Sequence, residues 1–175
     1  MIVWLNGPFV VGKTTVLRRL APRLDAAMFD PERYGYVLQR TIGRLRPGDY
    51  QDLRSWRRAT VRGALRRSRS DRPLLVPMTV LEPAYLHEIL GGLRDRGRAV
   101  LHVTLHASSP ALRDRIQQDT VDLEARTWRL RQLPRYEAAL TGLREHGPVV
   151  DTDALTPDQV ADTVLGLVEQ PSARP

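Results

Sequence analysis

The chain has 175 residues, a length that suits a single domain. It contains no cysteine, which excludes disulfide bonds and thiol chemistry, so a cytoplasmic setting is the simplest expectation. No apolar segment approaches membrane-spanning length, so we expect no transmembrane segment and leave peripheral membrane contact and oligomeric state open. The net charge is +7, carried almost wholly by arginine, and we do not infer a nucleic-acid partner from that total alone.

The first 15 residues combine an apolar strand, a glycine-containing loop and the start of a helix. Ile2–Leu5 has strand composition, and Gly7, four residues and then Gly12-Lys13-Thr14 fit the G-x-x-x-x-G-K-[ST] phosphate loop. Apolar residues at helical spacing follow as far as Leu24, so a strand enters the loop and a helix leaves it. The alternative is a strand-helix turn that binds nothing.

A phosphate loop binds through backbone N–H groups at the start of a helix, where anions are favoured. Lys13 is the only lysine of the chain, and we expect it to bridge the β- and γ-phosphates of a nucleotide while the Thr14 hydroxyl ligates Mg²⁺. The residues expected to bind the nucleotide phosphates are Gly7, Pro8, Phe9, Val10, Val11, Gly12, Lys13, Thr14 and Thr15.

Residues 26–29 form a short apolar run that predicts a second strand ending at Asp30. Open α/β sheets bind ligands at the carboxyl edge, so Asp30 can accept a proton from a substrate hydroxyl or hold a magnesium-bound water. Asp30 precedes Pro31, and an aspartate in that position is also a good helix N-cap. The residues leave both interpretations open.

A mixed helical pattern follows over 31–46, and a second helix is predicted from Asp49 or Tyr50 to about Ser68. Within it, Trp56 is either a core residue or an aromatic platform for a substrate ring. Arginines at steps of four form either a solvated face or a wall of donors along a substrate cleft. They are Arg54, Arg58, Arg62 and Arg66.

Leu74–Leu81 predicts the third strand, in which Pro77 stands where a Walker-B aspartate is common, so Pro77 should lie where the strand ends or bulges. The second half predicts helices over 82–96, 109–118, 133–146 and 156–169, strands over 99–105 and 149–150, and a tail over 171–175. The alternation of strands and helices predicts an α/β domain with a parallel sheet.

The polar segment 119–131 carries Arg126, Arg129 and Arg131 beside Trp128. We interpret it as a lid whose arginines neutralise charge on a transferred phosphoryl group, because closure over the nucleotide is what such chemistry needs. A charged helix surface is the alternative.

The segments IVWLNGPFVVGKTT, FDPERYGYVLQ, VPMTVLEPAYL and HVTLHAS resemble the tunicamycin-resistance proteins of the TmrB type, small P-loop proteins similar to nucleoside and chloramphenicol kinases. The resemblance extends from Met1 to about Gly166. It implies a three-layer P-loop nucleotide-kinase-like fold, with a five-stranded parallel sheet, helices on both faces and a short lid. It also implies one domain over 1–170, with the lid over 119–131, and ATP-Mg as cofactor.

The resemblance also carries residue roles. Asp114-Arg115-Ile116 matches a D-R-I segment whose arginine packs on adenine, so Arg115 is the candidate for that contact. Asp119 stands where such kinases often have a phosphate-binding arginine, which moves the expected lid arginine to Arg126, Arg129 or Arg131. Asp30 becomes the favoured base. The residues expected to bind substrate are Asp30, Glu32, Tyr34 and Trp56.

Together these features predict an ATP-dependent kinase that phosphorylates a hydroxyl of a nucleoside-like antibiotic such as tunicamycin. Lys13 and Thr14 hold ATP-Mg, Asp30 activates the hydroxyl and the lid arginines stabilise the phosphoryl group. The first alternative is a protein that sequesters the drug unmodified and uses nucleotide as a conformational switch. The second is nucleic-acid binding, which the high isoelectric point suggests.

Overall fold

The computed structural model describes residues 1–32, 49–68, 71–120 and 123–170, and its centre is a five-stranded parallel sheet in the order β2-β3-β1-β4-β5. The strands are β1 (Ile2–Asn6), β2 (Ala27–Met28), β3 (Leu74–Pro77), β4 (Val100–His106) and β5 (Val149–Asp151). All five residues of β1 are buried. Because successive side chains of a strand point to opposite faces, both faces of the sheet are covered at its centre.

Six helices lie among the described residues, and none of them is long and apolar enough to cross a membrane. They are α1 (Lys13–Arg23), α2 (Arg54–Arg67), α3 (Pro83–Arg94), α4 (Ser109–Gln118), α5 (Arg126–Arg144) and α6 (Pro157–Glu169). Side-chain caps fix where three of them begin: Glu82 for α3, Ser108 for α4, and Thr156 with Gln159 in a capping box for α6. Proline follows each cap within the first two positions, where its missing N–H is not needed.

The parallel sheet brings the carboxyl ends of β1, β2 and β3 to one edge, and the candidate site lies there. β1 leads into the loop at 7–12, β2 leads to Asp30 and β3 leads to Thr79. The side chain of Asn6 ties two of these ends together, since it accepts from the Val80 N–H at 2.8 Å and donates to the Val80 carbonyl at 2.9 Å. Asn6 is fully buried, so this pair of hydrogen bonds is shielded from water.

The predicted fold class is confirmed, and most of the predicted elements fall within one to three residues of those observed. The predicted third strand, Leu74–Leu81, was too long, because β3 ends at Pro77, a residue that cannot donate to the sheet. The predicted helix start at Leu133 was wrong, because α5 already begins at Arg126. The described residue before α5 is Ala125, whose side chain cannot cap a helix, and none of residues 126–132 is fully buried, so neither a cap nor a buried apolar stripe marked the start. The predicted tail and most of the mixed stretch 31–46 lie outside the described residues.

Candidate active site

The loop between β1 and α1 has the backbone of an anion-binding turn. Gly7 and Gly12 have φ values of 137° and 102°, and a Cβ on Gly7 would lie 2.5 Å from the Leu105 carbonyl oxygen, so only glycine fits there. Val10 has a φ of 57°, a conformation that costs a β-branched residue about 1–3 kcal/mol and is typically kept for function. The first turn of α1 contains no acidic residue. The loop therefore fits a phosphate at the positive end of the helix.

Lys13 is buried at the end of this loop and donates three hydrogen bonds. Its Nζ atom lies 2.9 Å from the Gly7 carbonyl oxygen, 2.8 Å from that of Pro8 and 2.8 Å from Thr79 Oγ1. Burial lowers the pKa of Lys13 to about 8, against the opposing influence of the Glu32 and Asp30 carboxylates. Hydrogen bonds thus fix the ammonium group at the mouth of the loop. The group lies close enough to the Glu32 and Asp30 carboxylates for their charges to raise its pKa.

Thr79 connects this lysine to the other side of the site. Besides accepting from Lys13, it donates its backbone N–H to Glu32 Oε1 at 3.0 Å. Its carbonyl accepts from Gln51 Nε2 at 2.8 Å. Three segments that are distant in the sequence therefore meet at one residue, of which 2% is exposed.

Asp30 lies partly buried after β2, and its Oδ1 atom accepts from the Glu32 N–H at 3.0 Å. This contact is the one that a capping aspartate makes, and it engages an oxygen of the same carboxylate that is the candidate base. Both interpretations of Asp30 are therefore compatible with its position. A substitution that keeps the capping hydrogen bond but removes the basic carboxylate can distinguish the two interpretations.

The short turn at Tyr50–Asp52 lines the site beyond Glu32. Burial first, and then the charges of Glu32 and Asp49, raise the pKa of Tyr50, which places the tyrosine near both carboxylates. Asp49 accepts from the Gln51 N–H at 2.9 Å, and Arg135 of α5 lies 3.7 Å from Asp49. This side of the site is therefore predominantly acidic among the described residues.

A buried arginine of α2 holds the turn in place. Arg57 donates to the Gln51 carbonyl at 2.6 Å and to Glu88 of α3 at 2.7 Å. Its guanidinium group also stacks on the Tyr85 ring, 4.1 Å from the centroid. No local sequence pattern indicated a role for Arg57, Gln51 or Thr79, since their contacts join residues far apart in the chain. The one available signal was the VPMT segment, which contains Thr79.

The arginines of 119–131 fall into two groups. Arg126 donates to the Asp119 carbonyl at 3.2 Å, and Arg129 forms an ion pair with the Asp119 carboxylate. Arg131 is exposed. Between them in the sequence, Trp128 packs edge-on against Phe9, with ring centroids 4.8 Å apart. The first turn of α5 therefore contacts the phosphate loop directly.

Arg115 lies on α4 beside the turn that follows β5. Its guanidinium group donates to Thr152 Oγ1 at 3.1 Å and to the Thr152 carbonyl at 3.0 Å. The Thr152 hydroxyl in turn donates to the His106 carbonyl at the end of β4 at 2.9 Å. Arg115 is therefore held in one orientation near the ends of β4 and β5.

The remaining candidates are dispersed. Trp56 has 4% of its surface exposed and packs edge-on on Tyr50 at 4.9 Å, which agrees with its interpretation as a core residue. Thr14 and Thr15 are exposed on the first turn of α1. Tyr34 lies outside the described residues. The arginines at steps of four on α2 are all exposed, as the solvated-face interpretation expects; they are Arg54, Arg58, Arg62 and Arg66. Arg58 and Arg62 line a groove of about 510 Å³ between α2 and α3.

The chain is similar in structure to several solved proteins. The tunicamycin resistance protein of Deinococcus radiodurans aligns with 29% sequence identity and a TM-score of 0.67, over 99% of this chain and 98% of that chain. A sugar kinase from Janibacter sp. HTCC2649 aligns with 16% identity and a TM-score of 0.71, over 96% and 94%. A shikimate kinase from Acinetobacter baumannii, solved in complex with shikimate, aligns with 18% identity and a TM-score of 0.64, over 99% and 95%.

No protein-family model matches the chain, and no curated protein matches its sequence. The two kinases are under one fifth identical and establish the fold, while the tunicamycin resistance protein matches over almost the whole length of both chains. The chain therefore has the P-loop kinase fold and is a structural neighbour of a tunicamycin resistance protein.

Proposed function

We propose that the chain is an ATP-dependent small-molecule kinase that phosphorylates a hydroxyl group of tunicamycin or of a similar nucleoside-like molecule. The observation that carries the proposal is the position of Lys13, which lies at the mouth of a strained phosphate loop and near the carboxylates of Asp30 and Glu32. The similarity to the Deinococcus radiodurans protein supports tunicamycin as the first acceptor to test.

On the nucleotide side, the N–H groups of residues 7–15 and the Lys13 ammonium would hold the phosphates. The exposed hydroxyl of Thr14 would ligate Mg²⁺, and Arg115 would contact the adenine. Bound ATP-Mg supplies the γ-phosphoryl group. The partners in this proposal are thus a nucleotide and a small molecule, and the protein acts in the cytoplasm, where ATP is available.

On the acceptor side, Asp30 takes the proton of the attacking hydroxyl. The acceptor oxygen forms a bond to phosphorus as the bond between the γ-phosphorus and the oxygen of the departing ADP breaks, so one proton passes to Asp30 for each phosphoryl group transferred. Glu32 faces the same edge of the sheet and is the candidate for holding a second hydroxyl of the acceptor. Tyr34 stays a prediction for substrate contact.

The lid of the proposed single domain over 1–170 is the segment 119–131. Arg131 is the candidate for stabilising the transferred group, because it is exposed and lies three positions after Trp128, on the helix face that contacts the phosphate loop. Arg126 and Arg129 instead bind Asp119, which suits an anchoring role at the base of the lid.

The test is mass spectrometry of tunicamycin after incubation with the purified protein, ATP and Mg²⁺. The proposal expects a gain of one phosphate group, loss of this product in Lys13→Ala, and its retention in Arg18→Ala, a matched substitution of an exposed residue on the same helix. Drug that is bound but unmodified would favour sequestration. Drug that is neither bound nor modified would exclude tunicamycin as the acceptor.

A further inference from the structure

We propose that Thr79 is a positioning residue that holds Lys13 through its hydroxyl and Glu32 through its backbone N–H, and so fixes the nucleotide side of the site relative to the acceptor side. This inference rests on the proposed function, which assigns one side of the site to the nucleotide and the other to the acceptor. The contacts themselves are those of the protein alone.

All three polar groups of Thr79 form hydrogen bonds within the site. Its Oγ1 accepts from Lys13 Nζ at 2.8 Å, its N–H donates to Glu32 Oε1 at 3.0 Å and its carbonyl accepts from Gln51 Nε2 at 2.8 Å. The residue is 2% exposed, so water cannot replace a lost partner without reorganisation. Only the contact with Lys13 depends on the side chain, because the backbone makes the other two.

The backbone of Thr79 is held in place by hydrogen bonds of the residues on both sides. The Met78 N–H donates to the Leu5 carbonyl at 3.1 Å, which continues the pairing of β3 with β1 past Pro77. On the other side, Asn6 clamps both the N–H and the carbonyl of Val80. Thr79 therefore has a well-fixed backbone, and the side chains of Lys13, Glu32 and Gln51 form hydrogen bonds with it.

The three hydrogen-bond acceptors of Lys13 lie in two different parts of the site. Two of its three acceptors, the carbonyls of Gly7 and Pro8, belong to the loop that must accommodate the phosphates. The Thr79 hydroxyl is the acceptor outside that loop, so it sets the direction of the lysine independently of loop geometry.

The test uses the fact that the chain has a single lysine. With ¹³Cε-labelled lysine, NMR gives one side-chain signal, whose chemical shift reports the surroundings of Lys13 in the nucleotide-free protein. Thr79→Val has nearly the shape of threonine and lacks the hydroxyl, whereas Thr79→Ser keeps it. We expect the signal to shift in Thr79→Val and to stay near the wild-type position in Thr79→Ser.

Enzyme kinetics give the second readout. Because Thr79→Val retains the backbone N–H that holds Glu32, we expect KM for ATP to rise about tenfold or more while KM for the acceptor stays within twofold, and Thr79→Ser to restore the wild-type values. A general loss of packing would instead affect both substrates. If Thr79→Val does not fold, Thr79→Ala is compared with Thr79→Ser in the same two experiments.

An unchanged NMR signal together with unchanged KM for ATP in the hydroxyl-free variant would overturn the positioning role. An equal rise in both KM values would overturn it as well, since that result indicates a structural role only. The proposed function fails separately, when the wild-type protein transfers no phosphoryl group. The NMR signal of Lys13 then still decides whether Thr79 positions it.

Discussion

The ring of Trp128 lies edge-on against the ring of Phe9, with centroids 4.8 Å apart, and so joins the first turn of α5 to the phosphate loop. Trp128 keeps 48% of its surface exposed despite this contact. Because Phe9 belongs to the loop that is proposed to enclose the nucleotide phosphates, any rearrangement of the loop on binding is transmitted to a tryptophan at the protein surface.

This contact predicts a fluorescence signal for nucleotide binding. Addition of ATP-Mg should change the tryptophan emission of the wild-type protein, and the change should be lost in Trp128→Phe. The other two tryptophans, Trp4 and Trp56, are 0% and 4% exposed and should contribute a constant background. A change of equal size in Trp128→Phe would show that the signal arises elsewhere.

Substitution of Asp30 can separate its two roles. Asn accepts the Glu32 N–H as well as Asp does, so Asp30→Asn should leave thermal stability nearly unchanged while kcat falls by roughly 10²–10⁴-fold, since an amide cannot serve as a base. Asp30→Ala removes the cap too and should lower stability by about 1 kcal/mol. The measurements are kcat and the free energy of unfolding for both variants. Wild-type kcat in Asp30→Asn would reduce Asp30 to a cap.

The pKa of Lys13 predicts the alkaline limb of the pH profile. Burial lowers that pKa from 10.5 to about 8, and only the charged form neutralises phosphate, so kcat/KM for ATP should fall as the pH rises through about 8. The limb of kcat should lie at higher pH, because bound phosphates favour the ammonium form. Lys13→Arg cannot titrate in this range and should show no such limb. The same limb in Lys13→Arg would assign it to another group.

The lid arginines should differ in what their loss does. Arg131 is exposed, so Arg131→Ala should change the free energy of unfolding by less than about 0.5 kcal/mol and still lower kcat by at least tenfold. Arg129 is largely buried in its ion pair with Asp119, so Arg129→Ala should lower stability by about 1–3 kcal/mol. Chemical denaturation and steady-state kinetics on both variants check this assignment. Unchanged kcat in Arg131→Ala would exclude it as the phosphoryl-stabilising residue.

The part of the site that the sequence predicts is the part whose contacts are local. The phosphate loop occupies consecutive residues, and its glycines, lysine and flanking elements could be recognised from the chain alone. The order of strands and helices was predictable for a similar reason, since each element carries its own apolar pattern and several carry their own caps.

The contacts that join the two sides of the site were not predictable in this way. Lys13 and Thr79 are 66 positions apart, and Gln51 and Thr79 are 28 apart, so no local pattern links them. The ion pair of Arg129 with Asp119 depends on where α5 begins. That start could not be predicted, because the residue before it, Ala125, cannot cap a helix. Pairs like these depend on the tertiary fold and need coordinates.

The most direct test of the account is the NMR signal of ¹³Cε-labelled Lys13, recorded with and without ATP-Mg. Because Lys13 is the only lysine, the signal reports the phosphate loop alone. We predict that ATP-Mg shifts the signal and raises the titration midpoint above its nucleotide-free value of about 8, whereas AMP, which lacks the β- and γ-phosphates, does neither. A signal and midpoint that stay unchanged at saturating ATP-Mg would contradict nucleotide binding at this loop, and with it the proposed kinase.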